Sequence, residues 1–454
     1  MFGRGECSRH GGGAVEFQFR LRNENFFDFA ALIQALTRAV CGCQTASLYR
    51  GAPIKTLRFS SLRSFSTGLV LLALLVSFPL SLGWCGTGGA SAAGLAADSS
   101  GNGTSNGSDS EFLYGAPADD RLNIFPAMAI NPLNGAFSSF FNVIAPPPFN
   151  CSGGSVAVGK FLYVSLPVGC QNQVSQIAGY LVHPATGALT ALDGSPFRLP
   201  KGAIPGGLAT APNSNLLYVA DASGSIEVFK VDSATGVPKA IRGSPFASGN
   251  NSQLVVDPSG NYLYASEDTT PGGVLAFSIS TSGAITPVPG SPFLLGGSTT
   301  FFNHQPFGIV DTGKYVYTAL GASNQIAGFS IDSETGSLTP VPGSVFPTGN
   351  GPGPLAWTGN FLYTVNQSDG TVSGYSIDPT NGVLTAVPGS PFGEDGALLT
   401  IDLSGKYLYL SEDRGIQGFN IDPTTGTLSQ GLGSHDNNGA LWLTVVRVTP
   451  SPSP

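Results

Sequence analysis

The chain has 454 residues, including 62 Gly and 34 Pro, and its formal net charge is −8. The charge is uneven: residues 1–85 contain nine Lys or Arg and four Asp or Glu, whereas residues 86–454 contain eleven and twenty-four. An acidic body with so few basic residues excludes the positively charged surface that nucleic-acid binding requires, so no nucleic-acid partner is expected.

A secretory leader is predicted around the most apolar run of the chain, residues 69–82. Lys55, Arg58 and Arg63 precede this run and small residues follow it, which is the order found in a signal peptide. The run has 14 residues, whereas a membrane-spanning helix needs roughly 20. We therefore expect an exported protein of the periplasm, the cell envelope or the medium.

Cys85 leaves a second form of the leader open. It ends the sequence Leu-Gly-Trp-Cys, which resembles a bacterial lipobox, and a lipid on this cysteine would anchor the protein. Membrane contact is expected only through the leader or this anchor.

Five segments follow from these features. We expect an upstream segment that is unstructured or not translated, then the leader, then a flexible linker rich in Gly, Ser and Asn, then the folded body and a disordered tail. Their predicted bounds are 1–54, 55–92, 93–110, 111–448 and 449–454.

An internal repeat of about 45 residues fills the folded body. The sequence Gly-Ser-Pro-Phe ends at Phe197, Phe246, Phe293 and Phe392, and the variant Gly-Ser-Val-Phe ends at Phe346. Each copy also holds a strand such as FLYVS or YLYLS after a tight turn, then a third alternating strand and a DxxTG-type turn. Four short strands joined by tight turns form one propeller blade, so seven copies predict an all-β, seven-bladed β-propeller.

The two ends of the repeat predict how the ring closes. The first copy begins at Glu111, already in the second strand of a blade, and residues 440–447 form an extra strand after the seventh copy. This C-terminal strand is expected to complete blade one, which leaves no open sheet edge.

The motifs LY-V/A-S/A after SGKY, ID-x-x-TG-x-L and GSPF together resemble the lactonase family of seven-bladed propellers, which includes the 6-phosphogluconolactonases and YVTN-type repeat proteins. The resemblance covers residues 111–448 and implies hydrolysis of a lactone at the channel face, with no required cofactor. Family enzymes carry a His- or Pro-Arg-His-bearing stretch entering an inner strand. The nearest stretch here, residues 303–308, has His304 and Pro306 but no Arg.

Propeller topology gathers the loops between strands two and three, and those between blades, on one face. Polar side chains of these loops are the candidate site residues. The catalytic candidates are His304, Glu267 and Glu412, and the ligand-binding candidates are Asp221, Asn366, His435, Arg198, Lys201 and Arg414. A carboxylate within reach of a His can act as general base or orienting partner for a water that attacks a lactone carbonyl. A ring of Asp, Glu and Asn oxygens is instead suited to Ca²⁺.

Two functions stay open from the sequence. The chain is either a lactone hydrolase or a non-catalytic envelope or secreted propeller that binds a lactone, a carbohydrate or an envelope protein. No Walker loop, HExxH or CxxC pair occurs, so those mechanisms lack support.

A disulfide is predicted between Cys151 and Cys170, the two cysteines of the repeat region. Both lie in loops expected on the same face of blade two, and export places them in an oxidising compartment.

Overall fold

The structure is a computed structural model, and the residues it describes fall in fifteen ranges. They are 4–10, 14–20, 54–60, 110–117, 124–131, 133–144, 154–166, 174–211, 214–249, 251–267, 273–294, 306–393, 396–412, 415–436 and 440–448. Within these ranges no helix is both long and apolar enough to cross a membrane. The apolar run 69–82 and Cys85 lie outside them, so the predicted leader and the predicted segment bounds remain predictions.

The chain separates into two compact units, Met1–Thr87 and Gly88–Pro454. The first unit contains a three-stranded sheet whose middle strand, Ala14–Arg20, pairs antiparallel with Arg4–His10 and parallel with Ile54–Ser60. These strands were not predicted from the sequence.

The second unit contains seven antiparallel blades, as the repeat predicts, so the predicted fold class is confirmed. We number the strands of each blade one to four from the centre of the ring outwards. The strands of blade one are Ala440–Val448, Ser110–Pro117, Ile124–Ile130 and Phe137–Ile144. Those of blade two are Gly154–Val158, Phe161–Leu166, Gln176–Val182 and Leu189–Ala191. Those of blade three are Pro205–Thr210, Leu216–Asp221, Ser225–Val231 and Pro238–Ala240. Blades four and five have Asn251–Val256, Tyr262–Glu267, Gly273–Ile279 and Ile285–Pro287; Pro306–Asp311, Tyr315–Leu320, Gln325–Ile331 and Leu338–Pro340. Blades six and seven have Pro352–Thr358, Phe361–Asn366, Thr371–Ile377 and Leu384–Ala386; Gly396–Ile401, Tyr407–Glu412, Gly415–Ile421 and Leu428–Asp436.

The C-terminal strand closes the ring. Strand one of each blade contacts strand one of the next, and Ala440–Val448 contacts the first strands of blades seven and two. It pairs antiparallel with Ser110–Pro117. Arg447 lies opposite Glu111 in this pairing, and its Nη2 is 2.6 Å from Glu111 Oε1. The predicted closure is therefore confirmed, and an ion pair spans the seam.

A second ring, of tyrosine hydroxyls, joins each blade to the next. The structure describes one such tyrosine per blade, at the centre of strand two, and each donates to a glycine carbonyl in the strand three–four turn of the next blade. The pairs are Tyr114–Gly187, Tyr163–Gly236, Tyr218–Gly283, Tyr264–Gly336, Tyr317–Gly382, Tyr363–Gly426 and Tyr409–Gly135. Burial raises the pKa of these hydroxyls well above the ordinary tyrosine value, so they stay protonated donors.

The Gly-Ser-Pro-Phe sequence follows strand four, which in blade three ends at Ala240. In blade three, Ser244 Oγ accepts the amide hydrogen of Val228 at 2.9 Å, and Phe246 then pairs with Ile226 of the same strand three. The hydroxyl thus takes the place of a ladder carbonyl at the blade's outer edge. Phe246 is half-buried against the core between blades three and four.

Candidate functional site

Four sequence-predicted residues occupy the same position in their blades. Asp221, Glu267, Asn366 and Glu412 each end strand two of blades three, four, six and seven. Each pairs with the first residue of strand one, the strand beside the centre of the ring. The fold therefore brings the four residues to one end of the propeller, which we call the strand-two end.

Backbone irregularities gather at the same end. A β-bulge follows the first residue of strand one in blades one, three, four, five, six and seven. At the bulges of blades five and six, a Cβ added to Gly308 would lie 2.5 Å from the carbonyl oxygen of Gly353, so only glycine allows this approach. Bulges take backbone groups out of the ladder and are common beside active sites. They support the strand-two end as the candidate functional face.

Asp221 organises the rim of blade three, a name used here for Ile204 before strand one and for Ser223 and Ser225 after strand two. Its Oδ1 accepts the amide hydrogens of Ile204 at 2.7 Å and Ser223 at 2.8 Å, and its Oδ2 accepts the hydroxyls of Ser223 at 2.6 Å and Ser225 at 3.1 Å. These bonds hold the pKa of this buried carboxyl below its usual value although desolvation opposes them. An ionised Asp221 therefore ties the start of strand one to the strand two–three loop.

Glu227 is a buried acid that was not predicted as a site residue. It lies in strand three of blade three opposite Val219, is 2% exposed, and its carboxyl interacts with that of Asp221. Desolvation, and then the charge of Asp221, raise its pKa to about 8. The equivalent positions of blades two, four and five hold Ala178, Leu275 and Ala327. A carboxyl among small or apolar residues was the sequence signal that could have identified it.

Asn366 is completely buried in blade six. Its Nδ2 donates to Thr371 Oγ1 and Ser373 Oγ, both at 2.8 Å. Its Oδ1 finds no hydrogen-bond partner in the described part of the chain. The amide group therefore supports the strand two–three loop from inside the blade rather than facing the solvent.

Asp369 extends this polar network towards blade five. It accepts the amide hydrogen of Asn350 at 2.7 Å and the hydroxyl of Thr371 at 2.7 Å. Asn324 adopts the left-handed conformation with φ 58°. Its Nδ2 donates to Asn350 Oδ1, and its Oδ1 accepts the amide hydrogen of Gly351. The loops of blades five and six are thus fixed to each other at the strand-two end.

The remaining described candidates lie at the same end but differ in burial. Glu267 is half-buried, and its Oε1 would be 3.5 Å from a Cβ added at Gly249 in the loop between blades three and four. Arg198 and Lys201 are exposed after strand four of blade two.

His435 differs from its predicted position. It belongs to strand four of blade seven, opposite Ile416, and not to an interblade loop, because strand four of this blade extends to Asp436. Glu412 and Asp436 both lie opposite Gly415, which keeps this row at the strand-two end.

Four predicted residues lie outside the described residues: His304, Arg414, Cys151 and Cys170. Their catalytic, binding and disulfide roles stay predictions. Within the ranges that the structure describes, no group of three or more His, Cys, Asp or Glu residues is placed to bind a metal ion. Because part of the candidate face lies outside these ranges, the predicted Ca²⁺ site stays a prediction.

Comparison with known proteins finds a partial match to one family. The family model "Lactonase, 7-bladed beta-propeller" matches residues 306–396, which run from strand one of blade five to the start of blade seven. This stretch of the chain resembles the lactonase family of seven-bladed β-propellers. The match covers blades in which the tyrosine ring and the inner-strand bulges are both present.

Two curated relatives match part of this chain. It is 29% identical over 176 residues to a 6-phosphogluconolactonase of Pectobacterium carotovorum, covering 37% of this chain and 50% of the relative. It is 30% identical over 162 residues to that of Pectobacterium atrosepticum, covering 33% of this chain and 45% of the relative. The chain thus spans about half the length of the curated relatives it matches.

Solved structures match over nearly their whole length. A putative 6-phosphogluconolactonase of Bacteroides uniformis is 18% identical with a TM-score of 0.62, covering 74% of this chain and 99% of that one. A periplasmic gluconolactonase of Pseudomonas aeruginosa is 17% identical with a TM-score of 0.60, covering 75% and 99%. At these identities the likeness shows the fold alone.

Proposed function

We propose that this chain is an exported lactonase that hydrolyses a sugar lactone at the strand-two end of the propeller. The observation that carries the proposal is the row of Asp221, Glu267, Asn366 and Glu412, which end strand two beside the inner strands of a lactonase-type propeller.

The proposed roles follow from burial. Glu267 is half-buried and Glu412 ends the equivalent strand of blade seven, so either carboxylate, with His304 as partner, is proposed to take a proton from the attacking water. The water oxygen bonds the carbonyl carbon, the ring C–O bond breaks, and the proton passes to the ring oxygen to give the hydroxy acid. Asp221 and Asn366 support the surrounding loops. No cofactor is required by these steps.

The substrate class is proposed to be an unphosphorylated lactone. The curated relatives are named for a phosphorylated lactone and one structural relative for gluconolactone. An exported enzyme meets unphosphorylated sugars, and the periplasmic location of the gluconolactonase relative supports export here.

An assay of the purified full chain on a panel of lactones tests this function. We expect glucono-δ-lactone to be hydrolysed well above the spontaneous rate, faster than 6-phosphogluconolactone, and without change on addition of EDTA. Hydrolysis of no lactone in the panel would overturn the proposal. N-terminal sequencing of the protein recovered from an expressing cell tests export, because cleavage within residues 83–92 or a blocked N-terminal Cys85 is expected.

A non-catalytic binding propeller is the second candidate. The observation that favours it is that Asp221 and Asn366 are committed to hydrogen bonds inside their own blades. Saturable binding of a lactone, a carbohydrate or an envelope protein without turnover would support this function over the first.

A further inference from the structure

Two pairs of acids are buried between blades, one pair at each end of the propeller. Asp221 and Glu227 lie at the strand-two end, and Asp257 and Asp311 lie at the opposite end between blades four and five. In each pair one carboxylate accepts several backbone or hydroxyl donors. The other acid, Glu227 or Asp311, has one oxygen with no hydrogen-bond partner among the described residues.

The pair at the strand-two end connects the rim to the interior of the propeller. Asp221 accepts hydrogen bonds from Ile204, just before strand one, and from Ser223 in the strand two–three loop. Glu227 lies one row deeper, opposite Val219, in the core between blades two and three. Asp221 and Glu227 are each 2% exposed, so water does not screen one carboxyl from the other.

The charged groups around Glu227 favour a protonated Glu227 beside an ionised Asp221. From strand two the facing charge is Asp221, and from blade two the same core contributes the apolar Ile177 and Leu199. Among the described residues of this end, the cations Arg198 and Lys201 are exposed. A protonated Glu227 donates to Asp221, whereas two ionised carboxylates at this place repel each other.

We propose that Glu227 is a positioning residue whose proton holds Asp221, and through it the blade-three rim, in the conformation seen here. Loss of the proton loosens the bonds that Asp221 accepts from Ile204 and Ser223. The raised pKa of Glu227, about 8, places the change just above neutral pH. The rim is therefore ordered in neutral and acidic surroundings and loosens in alkaline ones. Any consequence for turnover rests on the proposed lactonase function.

Hydrogen–deuterium exchange of the full chain tests the proposal without a substrate. Exchange is expressed as protection relative to the unfolded chain, because the intrinsic exchange rate itself changes with pH. We expect the amides of Ile204 and Ser223 to lose protection about tenfold between pH 6.5 and pH 9.5 in the wild type. Glu227→Gln keeps a donor that cannot ionise, so its rim should stay protected at both pH values.

Two controls separate a local effect from general loosening. Asp311→Asn removes the equivalent acid at the opposite end and should leave the pH dependence of Ile204 and Ser223 unchanged. The amides of Ser404 and Tyr407, which donate to the turn acid Asp402, should keep constant protection. Protection of the rim that does not change with pH in the wild type, or that falls equally in Glu227→Gln, would overturn the proposal. Failed lactone hydrolysis would leave this result untouched.

Discussion

Single buried polar groups decide how tightly the blades hold together. The tyrosine hydroxyls and the Asp221 carboxylate have named partners across or within blades, whereas Glu227 and Asp311 each keep one oxygen without a partner in the described ranges. Burial raises the pKa of both acids to about 8. These two acids therefore stabilise the fold less as the pH rises, which is unusual for carboxyl groups.

The sign of this effect gives the first prediction. In the folded chain Glu227 keeps its proton up to about pH 8, whereas an ordinary glutamate loses it near pH 4.5. The contribution of Glu227 to the free energy of unfolding therefore falls as the pH rises between these values. We expect Glu227→Gln to remove this slope and to raise the free energy of unfolding by about 3–4 kcal/mol at pH 8 relative to its effect at pH 5. Asp311→Asn should act in the same direction. Thermal unfolding across this range measures both, and a variant that tracks the wild type at every pH would contradict the pKa assignment.

The tyrosine ring gives a second prediction. Tyr317→Phe leaves the buried Gly382 carbonyl without its donor at 2.7 Å, and we expect a loss of about 1–2 kcal/mol. Tyr315→Phe is the matched control in the same strand, because its hydroxyl donates at 3.3 Å to Pro379 in an exposed turn. Chemical denaturation should show the smaller loss for the control. Equal losses would mean that the ring of tyrosines contributes no more than an ordinary surface bond.

Among the secondary-structure elements, the C-terminal strand has the largest consequence. Ala440–Val448 completes blade one, and Ser155 of blade two bonds Thr444 through their hydroxyls. The Glu111–Arg447 ion pair adds a contact at the same seam, where Glu111 is 3% exposed. Without this strand, the second strand of blade one loses its pairing partner, and the first strands of blades seven and two lose a packing contact.

Truncation tests the element directly. Removal of residues 440–454 should abolish cooperative unfolding of the propeller, whereas removal of residues 449–454, the predicted tail, should leave the melting temperature unchanged. Circular dichroism followed through heating distinguishes the two. A protein that melts cooperatively without residues 440–454 would show that blade one closes in another way.

At the scale of the whole molecule, the repeat made the fold predictable. The Gly-Ser-Pro-Phe and Leu-Tyr motifs recur at nearly constant spacing, and the missing first strand of the first copy indicated the closure. The inner-strand bulges were not predictable, because one extra residue does not disturb a repeat of about 45 residues. The sequence does not place Glu227 beside Asp221, because the two residues lie on different strands and only the pairing register brings them together. The sequence predicts a loop at His435, whereas strand four is longer in blade seven than in blades two to six and includes this residue.

The central claim is that lactone hydrolysis takes place at the strand-two end. The most direct measurement is kcat/KM of the full chain on glucono-δ-lactone for Glu267→Gln and for Glu334→Gln, an exposed acid in the strand three–four turn of blade five at the opposite end. We expect a loss of about 10²-fold or more for Glu267→Gln, an unchanged rate for Glu334→Gln, and an unchanged melting temperature for both. Equal rates for the two variants and the wild type would contradict the claim.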